Sequence, residues 1–264
     1  MENITLISCY YNINSKQPHS TYLYWMKNLL NNINTQMVIY CDKLSFPIIQ
    51  EMRKNKPTKI IITEISEFLV NKFNDAFKYS HLIDIEKNIH SIQLYKVWNE
   101  KVNFIKRTID INPFNSDNFY WIDIGCFRTS CTNLQYEYLK DWPNRKILNN
   151  YKNKIILFQT SNFLKDDEIL DDNGLTCNKL RDRLGGRLVA GFFGGEKKKM
   201  LLFHKLYYEM LQKWIYHKYF IGKENYLMTN VYLQNKELFH LFTKENTKMN
   251  NIKDSHMWFQ NYLC

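Results

Sequence analysis

The 264-residue chain carries 45% hydrophobic and 16% aromatic side chains with only 8 Gly and 5 Pro, which excludes a linker-rich or low-complexity polypeptide. A formal charge of +10 implies an anionic partner: nucleic acid, an anionic membrane surface, nucleotide phosphates or an acidic acceptor. No stretch reaches the roughly 18 apolar residues of a membrane span, and Met1-Glu2-Asn3-Ile4 has neither a basic nor an apolar signal region, so a cytoplasmic protein is expected.

In chain order, Ile4 to Cys9 reads as a first strand, and Thr21 to Ile33 as a helix with Leu23, Met26, Leu29, Leu30 and Ile33 at helical spacing. Met37 to Asp42 is a second strand that ends on an acid, Phe46 to Met52 a short helix, and Lys59 to Thr63 a third strand. Residues 65 to 107 read as mostly helical, with Leu94, Val97, Trp98, Val102 and Ile105 on one stripe. The block from Asn112 to Arg128 follows. A turn signal (Asn112-Pro113, then Asn115-Ser116-Asp117) leads into the buried-strand run Phe119-Tyr120-Trp121-Ile122, which ends on Asp123 with Gly125 two residues on. A carboxylate there is poorly placed for a core and well placed in the crevice outside the strand ends, where open α/β sheets bind ligands.

Ile155 to Gln159 is a fifth strand, and residues 165 to 187 read as a polar loop. Leu188 to Gly195 is an apolar strand running into a glycine pair. A long helix follows with Met200, Phe203, Leu206, Tyr207, Met210, Leu211 and Trp214 on one face, then a helix over Glu224 to Leu233. Alternating strands and helices predict an α/β protein with a largely parallel sheet. Without an internal repeat or a linker, one domain over 1–264 is expected.

Several motifs fail on inspection. The glycines at 185 to 195 match neither a P-loop nor a clean GxGxxG, although Gly191, Gly194 and Gly195 would let backbone approach a ligand, and the last two precede a helix N-terminus that favours anions. The acidic run from Asp166 to Gly174 fails as a calcium loop, since Ile169 and Leu180 would occupy ligand positions that need acids; an exposed loop is expected. The six cysteines, Cys9, Cys41, Cys126, Cys131, Cys177 and Cys264, form no CxxC pair, which predicts free thiols in a reducing setting. The histidines form no HExxH pair, which leaves His240 and His256 as late candidate metal ligands. Lys197-Lys198-Lys199 reads as a solvated helix face.

The Ser8-Cys9-Tyr10-Tyr11-Asn12-Ile13 segment, the strands at Val38 to Tyr40 and Ile60 to Thr63, and Leu94-Tyr95 with Trp98-Asn99-Glu100-Lys101 form a series with the Asn112 to Arg128 block and Gly191-Phe192-Phe193-Gly194-Gly195. Together these resemble the bacterial HtrL/YibB-type proteins, related to WlaTC-type surface-polysaccharide proteins, which look like GT-A glycosyltransferases. The resemblance spans roughly residues 4 to 235. It implies a GT-A-like, Rossmann-type, mostly parallel sheet flanked by helices, with a nucleotide-binding half over about 1–128 and an acceptor-side half over about 129–264.

It also implies transfer of a sugar from a nucleotide-sugar donor, with UDP favoured, to a glycan or other hydroxyl acceptor. A basic nucleic-acid-binding protein is a further reading, but the chain has no recognisable module of that kind, so no nucleic-acid partner is expected. Asp123 falls where such enzymes place the metal-binding Asp-x-Asp, and Cys9, Tyr10 and Tyr11 where they hold base and ribose. Lys101 would reach the diphosphate, Gly191, Gly194 and Gly195 would shape the sugar and acceptor pocket, and Glu224-Asn225 would face the reacting sugar, Glu224 as base or orienting acid. The second Asp of the motif is Gly125 here. The resemblance therefore leaves two routes: Mn²⁺ or Mg²⁺ held by Asp123, phosphates, water and a distant ligand such as His256, or a metal-free route through Lys101 and Arg128. A silent nucleotide-sugar or glycan-binding module is the alternative to an enzyme.

Overall fold

Strands that are apolar on both faces need cover on both faces. The computed structural model meets that need with one sheet between two helical layers. It describes residues 3–14, 17–128, 139–176, 186–251 and 256–264. The strands are β1 (Ile4–Tyr10), β2 (Met37–Cys41), β3 (Thr58–Ile62), β4 (Asn118–Ile122), β5 (Ile155–Gln159), β6 (Leu188–Glu196) and β7 (Phe239–Phe242). They form a seven-stranded sheet in the order β3-β2-β1-β4-β6-β5-β7. All pairings are parallel except the two that β6 makes, so β6 alone runs against the others.

The central strands β1, β2, β4 and β5 are buried along their whole length, as their unbroken apolar runs require. On one face, α4 (Ile92–Ile111), α6 (Lys197–Tyr216) and α7 (Glu224–Gln234) bury Val102, Ile105, Phe203, Tyr207 and Leu227 against Ile7, Phe119 and Trp121. On the other, α1 (His19–Leu30) and α8 (Phe259–Tyr262) pack Met26, Leu29 and Phe259 on Leu6, Ile39, Tyr120 and Phe192. Shorter helices α2 (Phe46–Met52), α3 (Asn74–Ile83) and α5 (Arg145–Asn149) complete the layers.

The stretch expected to be helical from 65 to 107 is divided: two 3₁₀ turns and α3 precede α4. Ser91 caps α4 by accepting from the Leu94 N–H at 3.2 Å, and Asn112, in the left-handed region at φ 31°, ends it. β7 carries no sequence expectation: four residues with a histidine among them show little period, and pairing with β5 makes them a strand. The acidic loop is not simply exposed. Asp167 is buried and bonded to Arg187 Nε at 2.7 Å, which ties the loop to the start of β6. Of the cysteines, Cys9, Cys41 and Cys126 are buried free thiols and Cys264 is an exposed one, while Cys131 and Cys177 lie outside the described residues, as does Gly185.

The reversal of β6 corrects one site expectation. Gly194 and Gly195 pair with Tyr120 and Phe119, so they lie toward the start of β4. That places them about 10 Å or more from the level of Asp123. They are strand residues pressed between neighbours. A Cβ on Gly194 would stand 2.2 Å from the Phe119 carbonyl oxygen, and one on Gly195 2.8 Å from that of Lys154. Backbone in the middle of a sheet cannot yield to such overlap. Gly194→Ala is expected to cost about 3 kcal/mol, a fall in Tm of roughly 6–12 °C for a chain of this size. Thermal unfolding followed by circular dichroism checks this, and an unchanged Tm would contradict it.

Candidate active site

Because β6 is reversed, its first residues meet the carboxyl ends of β4 and β5, next to that of β1, and α4 and α7 begin at the same end of the sheet. The result is a cleft of about 560 Å³ lined by Cys9 to Ile13, the N-terminal half of α4, Trp121, Asp123 to Gly125, Arg128, Gly186, Leu188 to Gly191 and Lys223 to Asn225. His19 and Tyr22 of α1 and His256 with Met257 close the far side.

Lys101 lies at the centre. Its ammonium is buried and donates to Asp123 Oδ1 at 2.7 Å, Glu224 Oε1 at 2.6 Å and the Ala190 carbonyl at 3.1 Å. An ammonium has three N–H groups, and all three are committed. Burial opposes the charge, but the two carboxylates outweigh it and hold the Lys101 pKa above the ordinary lysine value. Burial pushes the Glu224 carboxyl up, against the pull of Lys101. Two expectations change. Lys101 has no N–H left for a diphosphate, and Glu224, 5% exposed and bonded to Lys101, is not a free base.

Asp123 is positioned from three directions. Its backbone N–H donates to the Gly191 carbonyl at 2.8 Å, and the Trp121 indole N–H donates to Oδ1 at 2.7 Å beside Lys101. Its side chain is 35% exposed to the cleft. The other oxygen, Oδ2, faces Gly191, where a Cβ would stand 3.6 Å away. Gly125 is small for a packing reason: a Cβ there would meet Trp25 and Tyr22 at 3.2 Å. The aromatic pair of α1 fills the space that a second aspartate would need.

At the end of β1, side chains alternate between the faces. Tyr10 turns toward α1 and its hydroxyl bonds His19 Nδ1, while burial, with Asp42 and Tyr22 nearby, pushes its pKa up to about 12. Tyr11 turns the other way, stacked on Phe104 and edge-on to Phe68, with a buried hydroxyl that has no partner among the described residues. Burial raises the Cys9 thiol well above its usual range, so it is no thiolate nucleophile. Arg128 lies with its guanidinium 4.1 Å from the Trp25 ring centroid and its Nε on the Gly125 carbonyl at 3.1 Å. Asn225 presses against Gly186, and its buried Oδ1 has no partner among the described residues.

Gly191 and His256 reach the cleft; His240 does not. It stacks on Tyr151 from edge strand β7, three strands from β4, so it leaves the ligand candidates. Among the described residues no group of three His, Cys, Asp or Glu side chains could hold a metal. Of the candidate ligands, Asp123 and His256 line the same cleft, so a divalent ion there would need substrate oxygens and water to complete its shell. The cleft residues that the sequence left unmarked include Gln17, His19, Tyr22, Glu86, Lys223 and Met257. Helical spacing could have found part of this lining, since Leu94, Trp98 and Lys101 fall on one face of α4.

The sheet, six strands parallel and one reversed, with helices on both faces and the cleft at the strands' carboxyl ends, is a mixed α/β fold. The crystal structure of mouse xyloside xylosyltransferase 1 in its apo form shares it with a TM-score of 0.51 at 10% identity, over 92% of this chain and 86% of that one. By sequence, residues 2–251 match the family described as "Bacterial protein of unknown function (HtrL_YibB)", and the chain belongs to that family. A comparison with curated proteins finds no match. Among the described residues no helix is long and apolar enough to cross a membrane.

Proposed function

We propose that the protein, acting as one domain, transfers a glycosyl unit from a nucleoside diphosphate sugar, UDP favoured, to a hydroxyl of a glycan or similar acceptor. The observation that carries this reading is the buried Lys101 bridging Asp123 and Glu224 at the floor of a cleft on a glycosyltransferase-like sheet. Displacement at the anomeric carbon breaks the bond to the diphosphate, and negative charge grows on its terminal phosphate. Two bare carboxylates beneath that phosphate would repel it. Lys101 offsets part of their charge and holds Asp123 in one orientation, while Arg128 supplies positive charge at the cleft wall. The Oδ1 of Asn225, without a partner among the described residues, would accept from a sugar hydroxyl. When bound, a divalent ion would supply further stabilisation of the leaving group without a proton transfer.

The test is incubation with a panel of nucleotide sugars and assay of released nucleotide. Nucleotide binding without release across the panel would favour the rival reading, a silent nucleotide-sugar or glycan-binding module, to which the missing second aspartate points. Two further outcomes are expected. In calorimetric titration, UDP binds at least about tenfold, or 1.4 kcal/mol, more tightly than GDP, because Tyr10 and Tyr11, each 6% exposed and held by their own neighbours, wall the cleft at the end of β1 and leave more room for the single ring of a pyrimidine than for a purine; tighter GDP binding would contradict this. Exhaustive EDTA treatment lowers turnover by about tenfold or more and Mn²⁺ restores it, as leaving-group stabilisation by a metal is worth several kcal/mol. Full turnover in EDTA would transfer that role to Arg128.

A further inference from the structure

The two sides of the cleft differ in chemistry. The α1 side presents Arg128, His19 and His256. The α4 side presents Leu94, Val97, Trp98 and the aliphatic Ile13, with the ion pair Lys223–Glu86 at its rim. Anionic phosphates belong to the first side. The second is uncharged on balance and offers an aromatic plane bordered by one donor and one acceptor, which suits a neutral ring that has C–H groups on its face and hydroxyls at its edge.

Trp98 is a firm platform. It is half-buried, and its ring is braced edge-on by His90, with centroids 5.2 Å apart and planes at 79°. His90 is itself held by Asp84 at 2.7 Å, and the same Asp84 oxygen accepts from the Tyr95 hydroxyl. Glu86 and Lys223 are only 18% and 14% exposed, so their mutual orientation is constrained from both sides. Trp98 precedes Lys101 on the same helix face by three residues, about 4.5 Å along the axis, a spacing of the order of one sugar ring. A ring lying on Trp98 is therefore next to whatever Asp123 and Lys101 position.

We propose that Trp98, with Glu86 and Lys223, forms the subsite for an uncharged pyranose of the acceptor, the indole taking its C–H face and the ion pair its hydroxyls. The proposal deepens the transfer reading above and rests on it. The test applies the full chain to an array of immobilised neutral and acidic oligosaccharides, beside Trp98→Ala and Lys223→Met, with UDP affinity measured by calorimetry for each protein. The expected result is that neutral glycans bind the wild type, that both variants weaken this binding about tenfold or more, and that UDP affinity stays within about twofold, inside one 1.4 kcal/mol decade. Intact UDP binding certifies folding of each variant. Unchanged glycan binding in Trp98→Ala, binding of acidic glycans alone, or no glycan binding by a wild type that binds UDP would each overturn the subsite. Failure of the wild type to bind UDP, with glycan binding still dependent on Trp98, would instead count against the transfer reading.

Discussion

Lys101→Met is expected to destabilise the native state by about 3–5 kcal/mol, the cost of leaving buried carboxylates without their counter-charge. Lys101 is 3% exposed at its side chain and Glu224 7%, so water cannot replace the lost ammonium. The thioether chain fills much of the same volume, which keeps cavity formation from confusing the outcome. Denaturant unfolding should show a lower midpoint at an unchanged slope. The double variant Lys101→Met with Glu224→Gln should recover most of the loss, since a neutral amide needs no counter-ion. Activity should not return with stability, because Asp123 remains without its partner. Equal stability of the single and double variants would mean that Glu224 does not depend on Lys101 for its charge.

Asp123→Asn is expected to act in the opposite way, with a large loss of activity and little loss of stability. Asparagine keeps an oxygen for the Lys101 ammonium and the Trp121 N–H, and the position already meets solvent at 35% exposure. Tm should move by only roughly 2–4 °C, the equivalent of about 1 kcal/mol. Turnover should fall by about 10²–10³, the magnitude for removing one electrostatic element of a transition-state site, because the amide lacks the charge of Oδ2 toward a metal or ribose. Nucleotide release assayed on both proteins decides it. Full turnover by Asp123→Asn would end the assignment.

How much of this was legible beforehand follows from the range of each interaction. Asp123 could be placed because the apolar run before it and the turn residues around it are local. The stop of α4 at Asn112 was read from a turn signal that is local as well, whereas the cap at Ser91, equally local, went unread within a stretch taken as one helix. Gly194 and Gly195 misled for the same reason: a strand entering a glycine pair before a helix looks alike whichever way the strand runs. Period-two alternation carries no direction, and only the pairing of Gly194 with Tyr120 revealed the reversal. His240 and His256 were indistinguishable as isolated residues, and their distance from β4 separated them.

The roles of Lys101 and Glu224 show the limit most clearly. They are 123 residues apart, and the resemblance assigned them separate tasks, one to a diphosphate and one to a reacting sugar. The folded chain joins them under Asp123. The sequence by itself determined six of the strands, the main helices and the carboxylate at the end of β4, because each depends on hydrophobic period and turn residues within a short window. The tertiary structure alone decided the direction of β6, the pairing of β7 and the charge pairing on the cleft floor. Those depend on desolvation and Coulomb interaction between groups that meet only once the core has closed.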